Sequence, residues 1–79
     1  MTQKDKLEMK FFAEPTSVKY SHIIQILEMY GFELIAAKGS HVKFKHPKLE
    51  SDLVIPVHNN ECKAFYKRQA CVYVRKVQK

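Results

Sequence analysis

Gly39-Ser40-His41, followed by Val42-Lys43-Phe44-Lys45, is the stretch of this chain whose residue types and spacing could do chemistry. The four residues after the histidine alternate apolar and polar, the pattern of a strand with one buried face. Side chains two apart share a face, so His41, Lys43 and Lys45 are expected to point together, away from Val42 and Phe44. That sets the one side-chain type that changes charge near neutral pH beside two fixed cations on a solvated surface. Phosphodiester chemistry needs this combination: a proton acceptor or donor working near pH 7, next to positive charge that holds the phosphate.

The composition is compatible with such a substrate. Fourteen Lys and Arg against eight Asp and Glu give a formal net charge of +6 on 79 residues. A small basic chain of this kind is expected to meet a polyanion, with nucleic acid the first candidate. Solubility alone would need no partner, but the charge is unevenly spread. No acidic residue follows Glu61, while Lys63, Lys67, Arg68, Arg75, Lys76 and Lys79 do. At 46% hydrophobic and 28% charged residues the chain is globular rather than disordered. Its length fits a single domain with a small core.

The start, Met1-Thr2-Gln3-Lys4-Asp5-Lys6, is charged and has no apolar run behind it, unlike a secretory leader. No stretch is long enough to span a membrane, so a cytoplasmic protein is expected. Cys62 and Cys71 are expected on one helix, roughly 13 Å apart along its axis. That is beyond disulfide range, and two reduced thiols fit the cytosol.

The elements that would carry the histidine follow from periodicity. Thr2 with Asp5, or Asp5 with Glu8, can form a capping box for a short first helix. Leu7 and Phe11 sit one turn apart on it, and it ends before Pro15. A second helix starts near Lys19 to Ser21. Tyr20, Ile23, Ile24, Leu27 and Tyr30 mark its apolar face, and Gly31 caps its end. Residues 32–37 read as a strand, and Lys38-Gly39-Ser40 turns it into the strand from His41 to Phe44. Gly39 is the residue able to take a positive φ there. His46-Pro47 through Asp52 reads as a polar loop. Leu53 to Val57 is a third strand, near whose end Pro56 cannot donate to a ladder. Asn59 or Asn60 is expected to cap a final helix with Cys62, Tyr66, Ala70, Tyr73 and Val77 on its apolar face. Lys63, Lys67, Arg68 and Lys76 fall elsewhere on it. Cys71-Val72-Tyr73-Val74 could be a strand by propensity, but the longer helical pattern outweighs it. Phe11, Phe32, Phe44, Phe65 and Tyr73 are expected in the core rather than as base-stacking surfaces.

Four segments in order, Gly31-Phe32-Glu33-Leu34, Lys38-Gly39-Ser40-His41, Phe44-Lys45-His46-Pro47 and Ile55-Pro56-Val57-His58, resemble the HicA toxins of bacterial toxin–antitoxin systems. The resemblance covers about residues 18–79, and residues 1–15 look like an extra N-terminal helix carried by some relatives. It implies an α+β, double-stranded-RNA-binding-like fold, α-β-β-β-α with a three-stranded antiparallel sheet. It also implies a ribonuclease that cleaves mRNA and is neutralised by a HicB-like antitoxin. The histidine of the Gly-Ser-His turn, here His41, is the catalytic one in that family. One departure stands out. Many members open the final helix with a Gly-Thr pair, where this chain has Lys63-Ala64-Phe65-Tyr66-Lys67.

On this reading His41 takes the proton of a ribose 2′-OH, and the oxygen attacks the adjacent phosphate. Lys38, Gly39, Ser40, Lys43, Lys45 and His58 are the expected RNA contacts. His58 either supports the junction between strand and helix or supplies the proton for the leaving oxygen, and the first role is favoured. No metal or cofactor is expected: His58 and Cys62 have ligand-like spacing, but a tetrahedral zinc site needs four ligands. Ser40 has no triad around it and reads as a turn residue. The contrasting possibility is a non-catalytic RNA-binding module of the same fold, in which His41 is one contact among several.

Overall fold

The computed structural model describes residues 3–78. Its element order is α1 (Gln3–Ala13), a single 3-10 turn (Pro15–Ser17), α2 (Tyr20–Met29), β1 (Glu33–Lys38), β2 (His41–Lys45), β3 (Leu53–Pro56) and α3 (Ala64–Gln78). The strands form one antiparallel sheet in the order β1-β2-β3. The helices cover one face of it. Phe44, Leu53 and Ile55 point from the sheet into a core with Ile23, Ile26 and Leu27 of α2 and Val74 of α3, all essentially inaccessible to solvent. This is the expected α-β-β-β-α arrangement with a helix added in front. That helix is not an appendage, because Phe11 is fully buried in the same core.

The end of α2 is built as its sequence suggests. Gly31 takes φ +91°, the N–H of Phe32 donates to the Leu27 carbonyl (2.9 Å) and that of Gly31 to the Glu28 carbonyl (3.1 Å). These are the two bonds of a Schellman cap, with Phe32 and Leu27 both buried as its apolar contact. Gly31 has a second reason to lack a side chain: a Cβ there would lie 3.1 Å from Nε2 of His46. The His46 ring is buried, although its backbone opens the loop over residues 46–52 that the sequence reads as polar. Its Nδ1 accepts from the Lys48 N–H (3.0 Å), so Nε2 carries the proton and donates to the Tyr30 carbonyl (2.8 Å). It also packs against Phe32, with ring centroids 4.8 Å apart. One histidine thereby joins the end of β2 to the end of α2. Gly31→Ala is expected to destabilise the fold by about 1–2 kcal/mol, from the left-handed backbone and the pressure on His46. Urea unfolding measures it, and an unchanged midpoint would contradict the account.

Several local expectations are corrected. Asn59 and Asn60 do not cap α3. Both have positive φ, +52° and +61°, and form a two-residue turn whose flanks, His58 and Glu61, exchange backbone hydrogen bonds of 2.8 and 2.9 Å. Asparagine tolerates the left-handed region that such a turn demands at both positions. α3 therefore begins at Ala64, and Cys62 lies before it rather than on one helix with Cys71; both thiols are free and buried. The buried face of α3 is Lys67, Ala70, Cys71, Val74 and Val77, so Lys67 faces inward and Tyr66 and Tyr73 lie at its margin. Phe65 is not in the core: 61% of its surface is exposed. Of the two proposed capping boxes for α1, the one using Thr2 lies outside the described residues. Asp5 sits in the first turn of α1 rather than before it, which removes the other.

Candidate ribonuclease site on the open sheet face

β2 alternates as its sequence requires. His41, Lys43 and Lys45 are exposed, Val42 is half-buried and Phe44 is buried. The turn before it is a tight two-residue loop. Lys38 pairs with His41, Gly39 takes φ +62°, and Ser40 is not among the residues with positive φ. Positive φ at the first loop position alone is the pattern of a type II′ turn, which prefers glycine there. The Ser40 carbonyl accepts from the Val57 N–H, which ties the turn to the end of β3.

Register then assembles the face. Lys38 lies opposite His41 on β1, Pro56 opposite His41 on β3, and Val54 opposite Lys43. Residues directly opposite share a face of the sheet. A bulge between Leu34 and Ala36 shifts the β1 register, so Glu33 lies opposite Lys45. Two carboxylates therefore temper the cations: Glu33, and Asp52, whose Oδ2 is 3.9 Å from Nζ of Lys43. A solvent-accessible pair at that distance is weak. The structure thus gathers Lys38, Gly39, Ser40, His41, Lys43 and Lys45. His58 is exposed on the neighbouring Asn59–Asn60 turn, where its backbone, not its ring, supports the junction.

That junction is held by a residue the sequence did not single out. One oxygen of Glu61, Oε1, accepts from Nζ of Lys67 (2.9 Å), from the Cys62 N–H (3.0 Å) and from the Tyr20 N–H (3.2 Å). α2 has no local cap, since Lys19 offers no side-chain bond at its N-cap position. Glu61 supplies one from 41 residues away. A negative charge there also complements the helix dipole. The hydrogen bond from Lys67, helped by those from the two backbone N–H groups, holds the Glu61 carboxyl below its usual range against some desolvation. Burial pushes the Cys62 thiol up, so it stays protonated. The only clue in the sequence is Glu61 placed six residues before Lys67, which is too weak to have found the pair.

Two hollows adjoin these elements. One, of about 390 Å³, is lined by Pro56, His58, Glu61, Cys62, Lys63 and Tyr66. The other, of about 630 Å³, lies between α1 and α2, and its lining includes Lys6, Lys10, Lys19 and His22 but no carboxylate. Among the described residues no helix is long and apolar enough to cross a membrane.

Comparison with curated proteins and with solved structures gives no match. A family model, described as the HicA toxin of bacterial toxin–antitoxin systems, matches residues 20–71. The match runs from the first residue of α2 into α3 and takes in the whole sheet with its Gly39-Ser40-His41 turn. It spans more than half of the 79 residues, and the chain therefore belongs to the HicA toxin family.

Proposed function

We propose that this chain is the toxin of a toxin–antitoxin pair and acts as a metal-independent endoribonuclease on mRNA, with His41 as general base. The observation that carries the reading is the exposed His41 at the mouth of a tight turn, with Lys38, Lys43 and Lys45 on the same open face. In the step envisaged, a neutral imidazole nitrogen of His41 takes the 2′-OH proton. The 2′-oxygen bonds to the adjacent phosphorus, and the bond from phosphorus to the 5′-oxygen breaks. The proton needed by that oxygen comes from the imidazolium just formed, from water or from His58. Lys38, Lys43 and Lys45 hold the phosphate. An acidic antitoxin covering this face would block the site and associate quickly through charge complementarity.

Expression of the chain alone is expected to arrest bacterial growth, and co-expression of its antitoxin to relieve the arrest. Normal growth with intact cellular mRNA would favour a non-catalytic RNA-binding module instead. Lys43→Ala and Lys45→Ala are each expected to weaken RNA binding while changing stability by no more than about 0.5 kcal/mol, because both side chains are solvated. Each should also reduce the slope of log affinity against log salt by about one unit. Unchanged slopes in both variants would move the RNA to another surface.

A further inference from the structure

We propose that the hollow formed by Pro56, His58, Cys62, Lys63 and Tyr66 is a subsite for one unstacked nucleobase of single-stranded RNA, next to the bond that His41 cleaves. The proposal rests on the ribonuclease reading and adds to it a place where a nucleotide identity can be read.

The volume of about 390 Å³ falls within the range of small-ligand pockets. Its position is fixed by the sheet: Pro56 faces His41 across the β2–β3 pairing, one strand spacing of about 4.8 Å away. The Ser40–Val57 backbone bond keeps the two edges together. A phosphate at His41 therefore has its neighbouring nucleotide within reach of the hollow.

The walls suit a flat heterocycle better than an anion. Pro56 and Tyr66 are the ring-bearing apolar residues of the lining, and the Cys62 thiol stays neutral. Glu61 lines the same hollow, and its negative charge would repel a phosphate seated there. The Glu61 bonds to Lys67, Cys62 and Tyr20 hold the floor in place. His58 and Lys63 add polar groups able to bond base edges. Phe65, largely exposed, meets the Tyr66 ring edge-on at 5.0 Å and an interplanar angle of 89°, which fixes the ring beside the opening. Sequence-specific recognition of single-stranded RNA works through such surfaces, where a splayed base stacks on an aromatic ring and bonds along its edge.

The test uses the full chain and a 2′-O-methyl RNA tetranucleotide that cannot be cleaved through the 2′-oxygen, followed by chemical-shift perturbation. Backbone amides of His58, Cys62, Lys63 and Tyr66 should shift together with that of His41. Tyr66→Ala should weaken binding about tenfold, and Tyr66→Phe, which keeps the ring, should restore it. Replacing one nucleotide by an abasic residue should weaken binding to wild type by a similar factor and to Tyr66→Ala hardly at all. An abasic penalty equal in the two proteins would overturn the subsite, as would shifts confined to other surfaces. Cleavage of long RNA by the wild type is read separately. Cleavage without a Tyr66-dependent penalty overturns the subsite alone, whereas absence of both binding and cleavage overturns the ribonuclease reading with it.

Discussion

His41→Ala is expected to lower RNA cleavage by about 10² to 10⁴ and to abolish growth arrest, while the protein stays folded. The rate loss is the usual contribution of a positioned general base, and alanine offers no group to take the 2′-OH proton. The fold should survive because the ring is exposed at the start of β2, with the core contacts of that strand made by Phe44 and Val42. Surface substitutions of this kind change stability by no more than about 0.5 kcal/mol. RNA affinity should fall far less than the rate, since the phosphate contacts proposed for Lys38, Lys43 and Lys45 are untouched. Cleavage of a labelled mRNA by both proteins, with circular dichroism on each, measures the effect. A folded variant that cleaves at the wild-type rate would remove His41 from the mechanism.

Glu61→Ala is expected to destabilise the domain by about 2–3 kcal/mol, a large share of what so short a chain has. The loss has two parts. The Tyr20 and Cys62 N–H groups lose their acceptor, and the buried Lys67 ammonium loses its counter-charge. The Glu61 side chain is 46% exposed, so water can reach the site and keep the effect below that of a fully buried pair. Glu61→Gln, which keeps an acceptor oxygen but no charge, should fall between. The pH dependence has a definite sign. Because the folded value lies below the ordinary 4.5, the folded protein binds this proton more weakly than the unfolded chain does. The stabilisation is therefore complete above the ordinary value and is lost as pH falls through the lowered one. Wild type and Glu61→Gln should differ in melting temperature near neutrality and converge as pH falls through the lowered value. A difference that grows on acidification would contradict this.

The parts that were legible in the sequence are those governed by local pattern. β2 has a period of two and one buried face, so its alternation assigns every side chain. Gly31 follows a helical apolar stripe, and its backbone and its contact with His46 both demand glycine. The open face that carries His41 rests on these two local signals and on the Gly39 turn. The illegible parts depend on partners far away in sequence. Asparagine suits both a helix cap and a left-handed turn, and the pairing of His58 with Glu61 decides for the turn. Lysine has no reason to face inward until Glu61 is brought beside it, so periodicity alone sets Lys67 off the apolar face of α3 and displaces that face. Hydrophobicity alone places Phe65 in the core, but the inward face of α3 lies on its other side. The β1 bulge, which sets Glu33 opposite Lys45, has no mark in a run of ordinary strand residues.

His41 is proposed to drive attack by a ribose 2′-oxygen without a metal. The most direct measurement is the chemistry of the cut ends, with EDTA present, on matched RNAs that carry a 2′-hydroxyl or a 2′-deoxy sugar immediately 5′ of the cleaved bond. Cleavage in EDTA should leave a 2′,3′-cyclic phosphate and a 5′-hydroxyl, and the 2′-deoxy substrate should stay intact. Ends bearing a 5′-phosphate, cutting of the 2′-deoxy RNA, or loss of cleavage in EDTA would contradict it.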